Sequence, residues 1–324
     1  MRKVALIYNP ASGSKRQDRM RRIGAAAEVL RAAGVEAIAI ETVGPGTAGS
    51  QAREAVAVGC DCVLACGGDG TVHEVLQGMV GSEAALGVLP LGTANSLAFD
   101  LGLPRQPRQA AEMLLRAHLQ KIAAGKIEYT ASIGNSQCRY FTVTAGIGAD
   151  AHLAYKLSTE FKRRHGMAAY YAKATQLWMT HSFPAFEAEF HDKTTGRNRT
   201  EIVTELLAIR ITDFGGILRR MAPRAALDRD DLELVLFKTR SRLSYLRYVT
   251  ANIVGRRARV PDIEFVASDS VQCRPLPETV ETVHAEADGE DLGVLPSRIS
   301  IVPEAFNLLV PRPFAEARLR QHRL

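Results

Sequence analysis

The 324 residues predict an α/β chain in two domains. The first is a doubly wound α/β domain over residues 1–125. The second is a β-sandwich with helical insertions over residues 126–305, and the tail 306–324 is expected to pack back on the first. Three observations carry this reading. In the N-terminal third, strand-length apolar runs alternate with helix-period stretches, which implies right-handed crossovers and a largely parallel sheet. Beyond Gly125, short apolar runs follow one another with glycine turns between them, the texture of a sandwich. Hydrophobic residues make up 46% of the chain, enough for two cores.

The elements follow in order. Lys3 to Tyr8 is an apolar strand that ends in Asn9-Pro10-Ala11-Ser12-Gly13-Ser14-Lys15. Met20, Ile23, Ala27 and Leu30 then mark a helix face that stops at Gly34. A strand over Val35 to Ile40 and a helix from about Ala48 to Val58 lead to the strand Cys62-Val63-Leu64-Ala65 and the turn Cys66-Gly67-Gly68-Asp69-Gly70-Thr71. Val72, Val75, Leu76 and Met79 fall at i, i+3, i+4 and i+7, with Thr71 as the expected N-cap, so this stretch reads as strand, glycine turn, helix. Leu86 to Leu89 is the next strand, before Pro90-Leu91-Gly92-Thr93-Ala94-Asn95, and a helix around Gln109 to Leu119 closes the domain. In a parallel sheet, ligands bind at the carboxyl ends of the strands, where the loops at 9–15, 42–47, 67–71 and 90–95 emerge together.

In the second half, Ile127 to Ile133, Cys138 to Thr144, Phe186 to Phe190, Ile202 to Ile211, Leu232 to Phe237, Ile263 to Val266 and Ile299 to Val302 read as strands. Gly134-Asn135, Thr195-Gly196 and Asp288-Gly289 read as turns. Helical insertions are expected at Ala151 to Phe161 with Met167 to Thr180, and at Leu243 to Val254.

Composition narrows the class without choosing a function. The formal charge of +6 favours anionic partners of several kinds. Aromatics are 6% and are not interleaved with the basic clusters, which argues against nucleic acid. No apolar stretch reaches the roughly 18 residues of a spanning helix, and Met1-Arg2-Lys3-Val4 leads straight into a strand, so a cytoplasmic protein is expected. Five cysteines without paired CxxC spacing are expected to be reduced and mostly buried. Gly44-Pro45-Gly46-Thr47-Ala48-Gly49 matches GxGxxG on paper, but it opens the second helix of the unit and contains a proline, so it reads as a plain loop. Walker A, HExxH and nucleophile-elbow motifs are absent. His73 is expected on a helix surface.

The central turn has its own chemistry. Gly67, Gly68 and Gly70 let the backbone approach a ligand, and the first N–H groups of the helix have no internal partner, which suits phosphate. Asp69 places a carboxylate where a magnesium ion bridging phosphates could sit.

Asn9-Pro10-Ala11-Ser12-Gly13, Gly67-Gly68-Asp69-Gly70-Thr71 with Glu74, Pro90 to Asn95, Ala145-Gly146-Ile147-Gly148-Ala149-Asp150 and Asp288-Gly289-Glu290 occur in an order and spacing that resemble the diacylglycerol kinase catalytic-domain family. The resemblance spans nearly the whole chain and is nearest to the bacterial soluble lipid kinases, relatives of sphingosine and ceramide kinases. It implies ATP in a cleft between the two domains. Asn9, Pro10, Ala11, Ser12, Gly13, Thr42, Gly67, Gly68, Asp69, Gly70, Thr71, Glu74, Gly92, Thr93 and Asn95 are implied to hold the nucleotide and its Mg2+. Asp288 is implied as general base toward a lipid hydroxyl, with Glu290 and Asp69 in the same active site. Phosphoryl transfer asks for positioning and charge stabilisation, which glycine turns, helix N-termini and magnesium supply, and for a carboxylate to take the alcohol proton. Glu286 and Asp291 lie close to Asp288 in sequence, and mutual repulsion there could raise one carboxylate's pKa.

The chain departs from the family pattern where a structural magnesium is expected. An Asp-Gly pair is replaced within Pro223-Arg224-Ala225-Ala226-Leu227-Asp228-Arg229-Asp230-Asp231, leaving Asp228 and Asp230 as substitute ligands. His73 and Ser96 also depart from it. The reading implies a lipid alcohol substrate and a peripheral membrane surface. Ala151 to Ser182 is the first candidate for the membrane contact and Tyr245 to Arg259 the second. Two alternatives stay open: a kinase of a soluble acceptor such as NAD, and a non-catalytic nucleotide- and lipid-binding regulatory protein. Monomer and homodimer are equally open.

Overall fold

The computed structural model describes residues 1–10, 16–131, 134–156, 173, 175–215, 221–254, 260–278, 280–312 and 314. The chain forms two compact units. One comprises Met1–Ala124, Asp213–Gly216 and Pro303–Leu324, and the other Gly125–Thr212 and Ile217–Val302.

The first unit is built on four parallel strands, β1 (Lys3–Tyr8), β2 (Glu36–Glu41), β3 (Cys62–Gly67) and β4 (Ala85–Pro90), in the order β4-β3-β1-β2. The helices are α1 (Arg16–Ala32), α2 (Ala48–Ala57), α3 (Asp69–Met79), α4 (Ser96–Asp100) and α5 (Pro107–Leu114). Strands β3 and β4 are buried at every position, which is why they read as continuous apolar runs rather than alternating ones. Tyr8 lies opposite both Glu41 and Cys66, and Gly67 lies opposite Pro90, so the carboxyl ends are aligned and their loops leave from one edge. Helices α2 and α3 approach closely because Gly49 and Gly78 meet at their crossing: a Cβ on Gly78 would fall 2.0 Å from the Gly49 carbonyl oxygen.

Four local expectations change. Helix α3 begins at Asp69 with Gly68 as N-cap, so Thr71 lies inside the first turn rather than capping it. The turn is that tight because Gly67 has no Cβ, which would sit 2.2 Å from Thr71 Oγ1. His73 is buried rather than on the surface. On α1 the inward position is Arg19, while Met20 is exposed. The helix expected to reach Leu119 ends at Leu114, because β5 (His118–Thr130) begins after only three intervening residues. The five cysteines are free thiols, with Cys60, Cys62, Cys66 and Cys273 buried and Cys138 exposed.

The second unit takes β5 from Gly125 onward and continues with β6 (Ser136–Phe141), β7 (Thr144–Gly148), α6 (Ala149–Lys156), β8 (Phe186–Asp192), β9 (Arg197–Val203), β10 (Glu205–Ile209) and β11 (Leu232–Phe237). After these come α7 (Arg242–Val254), β12 (Ile263–Ser268), β13 (Ser270–Pro275), β14 (His284–Ala287) and β15 (Glu290–Val310). One layer runs β12-β11-β10-β7-β14-β15. Strand β15 also pairs with β13 and β5, which lead to β8-β9 and to β6, so it serves both layers. Between the layers lie Ile127, Phe141, Ile147, Phe186, Leu206 and Leu234. The last stretch of β15 belongs to the first unit, where Asn307 and Leu308 pair in parallel with Ala85 and Leu86 of β4.

The run Cys138 to Thr144 divides into β6 and β7 because the N–H groups of Thr142, Val143 and Thr144 turn to the Asp288 carboxylate. The run Ile202 to Ile211 divides at Thr204, whose N–H goes to the Phe237 carbonyl, 2.8 Å. The first expected helical insertion has residues 157–172 and 174 outside the described residues. The second is α7.

Inside β10, Glu205 is buried, and burial first, then the charge of Asp150, holds its carboxyl well above the usual glutamate range. The native state therefore keeps this proton at pH values where an unfolded glutamate, pKa about 4.3, has lost it, and stability falls as pH rises from there. Glu205→Gln is expected to melt at a higher temperature than the parent at pH 7, with the gap closing toward pH 4. Thermal melts over that range check this, and a gap of the opposite sign contradicts it.

Candidate active site

The first group of predicted residues assembles at the carboxyl edge of the parallel sheet. Thr42 follows β2 and is buried, its N–H bonded to the Tyr8 carbonyl at 2.9 Å. The turn after β3 and the loop after β4 are locked together. Leu91 N–H donates to the Gly67 carbonyl at 2.9 Å, and a Cβ on Gly92 would lie 2.4 Å from Gly68 Cα. Asn95, left-handed at φ 55°, closes its own loop, its Oδ1 accepting from Gly92 N–H and its Nδ2 donating to the Gly92 carbonyl, both at 2.9 Å. Asp69 completes the lock: its carboxylate accepts from the N–H groups of Asn95 at 3.0 Å and Ser96 at 2.6 Å. Thr93 is exposed at the tip of this loop.

Glu74 Oε2 accepts from Ala48 N–H at 3.3 Å, satisfying the start of α2 just beyond the loop at 42–47. Asn9 and Pro10 emerge from β1 at the same edge, whereas Ala11, Ser12 and Gly13 lie outside the described residues. Sequence reasoning missed Arg19, which is buried and donates from Nη1 to the Pro10 carbonyl, so it braces the base of that loop. The available signal was a charged residue in helical register with Ile23, Ala26 and Leu30.

A cradle this tight, with backbone in place of side chains and the start of α3 beside it, fits phosphate groups. Among the described residues no group of three or more His, Cys, Asp or Glu is placed to hold a metal. Magnesium beside phosphates asks for no such group, since it takes one or two carboxylates and fills the remaining positions with phosphate oxygens and water. Asp69 fits that role.

The second group lies in the other unit. Asp288 (φ 51°) and Gly289 (φ 83°) form the two-residue hairpin between β14 and β15, a geometry that Asp-Gly favours. Asp288 is 8% exposed, and its side chain accepts from the N–H groups of Val143 at 2.9 Å and of Thr142 and Thr144, each at 3.1 Å. Beneath the hairpin, Glu286 Oε2 accepts from Gly289 N–H at 2.7 Å, and burial together with Asp150 holds its carboxyl well above the usual range. Gly146 leaves it room, because a Cβ there would be 2.8 Å from Glu286 Oε1. Glu290 is exposed at the start of β15.

Around Asp228 and Asp230, the main-chain carbonyls of Leu227, Arg229 and Asp231 accept from the guanidinium of Arg210, which is fully enclosed.

Comparison with known proteins gives one answer across the chain. Residues 3–127 match the diacylglycerol kinase catalytic domain, and residues 142–310 match the YegS C-terminal NAD kinase beta sandwich-like domain. The chain is 27% identical over 319 residues to a diacylglycerol kinase of Bacillus subtilis (strain 168), covering 98% of this chain and 99% of that one. It is 28% identical over 319 residues to a diacylglycerol kinase of Mycobacterium tuberculosis, covering 96% of each. A crystal structure of a diacylglycerol kinase from Bacillus anthracis str. Sterne shares the fold with a TM-score of 0.67 at 21% identity, over 96% of this chain and 98% of that one. With these two domains in this order, the chain belongs to the diacylglycerol kinase catalytic-domain family.

Proposed function

We propose that the protein is an ATP-dependent lipid kinase that phosphorylates the hydroxyl of diacylglycerol or a related lipid alcohol. The observation that carries this is the Asp288 carboxylate, held by three main-chain N–H groups on a hairpin tip, in a chain whose other unit packs two glycine loops together beside the start of α3, a setting that suits phosphate. The relatives named diacylglycerol kinase, matched nearly end to end, support the same acceptor class. ATP with magnesium supplies the γ-phosphoryl group. The glycine turns and the start of α3 would orient the phosphates, Asp69 would contribute a carboxylate to the ion, and Asp288 would accept the proton of the alcohol as its oxygen bonds to the γ-phosphorus and the bond from that phosphorus to the β,γ-bridging oxygen breaks, releasing ADP.

For access to the lipid, α7 presents a suitable face. Tyr245 and Tyr248 pack inward on Phe237, with ring centroids 4.6 and 5.1 Å away. The opposite side exposes Leu243 (64%), Leu246 and Ile253 (both 49%) with Arg242 and Arg247, and the helix has no acidic residue. An apolar stripe flanked by arginines suits an anionic bilayer surface. No described helix is long and apolar enough to cross a membrane, so contact through this face would be peripheral.

Labelled ATP offered with a panel of lipid alcohols in mixed micelles, and separately with NAD, tests the acceptor. Transfer to NAD alone supports the soluble-acceptor reading, and transfer to neither supports the non-catalytic one. Replacing Leu243 and Leu246 with glutamate is expected to weaken binding to anionic vesicles by at least ~10-fold, given about 1.5–3 kcal/mol per buried leucine. Flotation that stays at the parent level removes α7 from the membrane contact.

A further inference from the structure

Arg210 follows β10 directly, and its guanidinium is 0% exposed. Nη1 donates to the carbonyls of Arg229 at 3.0 Å and Asp231 at 3.4 Å, and Nη2 donates to the carbonyl of Leu227 at 2.9 Å. Three alternate carbonyls of one acidic segment thus converge on a single cation. Asp228 and Asp230 sit among them, and Arg229 closes onto Asp231 with its own guanidinium. Main-chain oxygens ringed by aspartates are the donor set of a hard divalent ion. Here the charge in the middle is a side chain. Burial pulls the guanidinium down to about 10, while Asp230, Asp231, Asp228 and Asp288, in that order, support its charge, so it remains a cation at neutral pH.

The same residue reaches the hairpin through the main chain. Arg210 N–H donates to the Val143 carbonyl at 2.9 Å, and Val143 N–H in turn donates to Asp288 Oδ1. The segment 227–231, the end of β10 and the Thr142–Thr144 cradle therefore share one pinning point.

We propose that Arg210 is the internal cation of segment 227–231, standing where a second divalent ion would otherwise organise those carbonyls, and that it is the positioning residue that keeps the Thr142–Thr144 cradle, and so Asp288, in place. The first half of this statement is independent of the proposed function. The second rests on the lipid-kinase reading.

Two measurements separate them. The melting temperature of the unliganded wild-type chain is expected to be the same in EDTA and in millimolar magnesium chloride, and a fall on chelation overturns the internal cation. Arg210→Ala is expected to lower kcat for lipid phosphorylation by ~100-fold, the scale of an ångström misplacement of a catalytic group, while KM for ATP stays near the parent value. Millimolar guanidinium chloride, but not urea, is expected to restore part of the lost kcat. An unchanged kcat, or loss of kcat and ATP binding together without rescue, overturns the positioning role. Should the alanine variant not fold, Arg210→Lys takes its place, keeping the charge with fewer donors. It is expected to show the same split between kcat and KM, and full parent kcat in that variant overturns the role. If the wild type phosphorylates no lipid alcohol, the functional reading fails, and the chelation result still judges the cation.

Discussion

Asp288→Asn is expected to lower lipid phosphorylation by about 10²–10⁴-fold, the range for loss of a general base. It is also expected to cost about 1–3 kcal/mol of stability, which the sequence alone would not suggest. The parent carboxylate accepts from three main-chain N–H groups, two on Oδ1 and one on Oδ2. An asparagine can keep its oxygen toward Val143 and Thr144, but its NH2 then faces the N–H of Thr142, donor against donor. The variant is therefore expected to turn over poorly, to unfold at lower denaturant, and to bind ATP as before, because the nucleotide loops belong to the other unit. Transfer of labelled phosphate to lipid in mixed micelles, nucleotide titration and urea unfolding together check this. Normal turnover removes Asp288 from the base role.

Gly92→Ala is expected to act on the nucleotide alone. Its Cβ would lie 2.4 Å from Gly68 Cα, 3.0 Å from Gly68 N and 2.9 Å from Asn95 Oδ1. Two of these three atoms are backbone and cannot swing aside, so the loops must separate and the Asp69 bonds to Asn95 and Ser96 must loosen. Overpacking of this kind costs about 1–3 kcal/mol, which corresponds to ~10–100-fold weaker ATP binding if the strain falls on the bound state. Gly44→Ala is the matched control. Nothing lies within 4 Å of a Cβ there, although Gly44 opens the GxGxxG match, and its ATP affinity is expected to equal the parent's. Titration calorimetry with ATP distinguishes the two. Equal affinity in Gly92→Ala would move the phosphate cradle elsewhere.

Much of the molecule was legible in order along the chain. The buried parallel strands announce themselves as apolar runs because both of their faces are covered. The loops that end them share an edge by topology, whatever their side chains. The Asp-Gly hairpin at 288–289 was legible because few residues tolerate two consecutive left-handed conformations. Errors arose where a specific polar or steric contact overrode what helical period and cap preference suggest. Arg19 displaced Met20 from the inward face of α1 because the Pro10 carbonyl accepts its guanidinium. Thr71 lost the cap to Gly68 because the turn tightens beyond what any residue with a Cβ allows.

What the sequence by itself determined was the set of elements, their α/β and β-sandwich classes, and the placing of glycines at turns, since these follow from local periodicity and backbone freedom. Only the tertiary structure decided what the charged groups do. Asp69 spends its oxygens joining two loops, Glu74 satisfies the start of α2, Asp288 sits in a cradle contributed by residues more than 140 positions earlier, and Arg210 occupies the centre of the acidic segment. A charge takes its role from the donors and acceptors that surround it once water is excluded, and those come from remote parts of the chain.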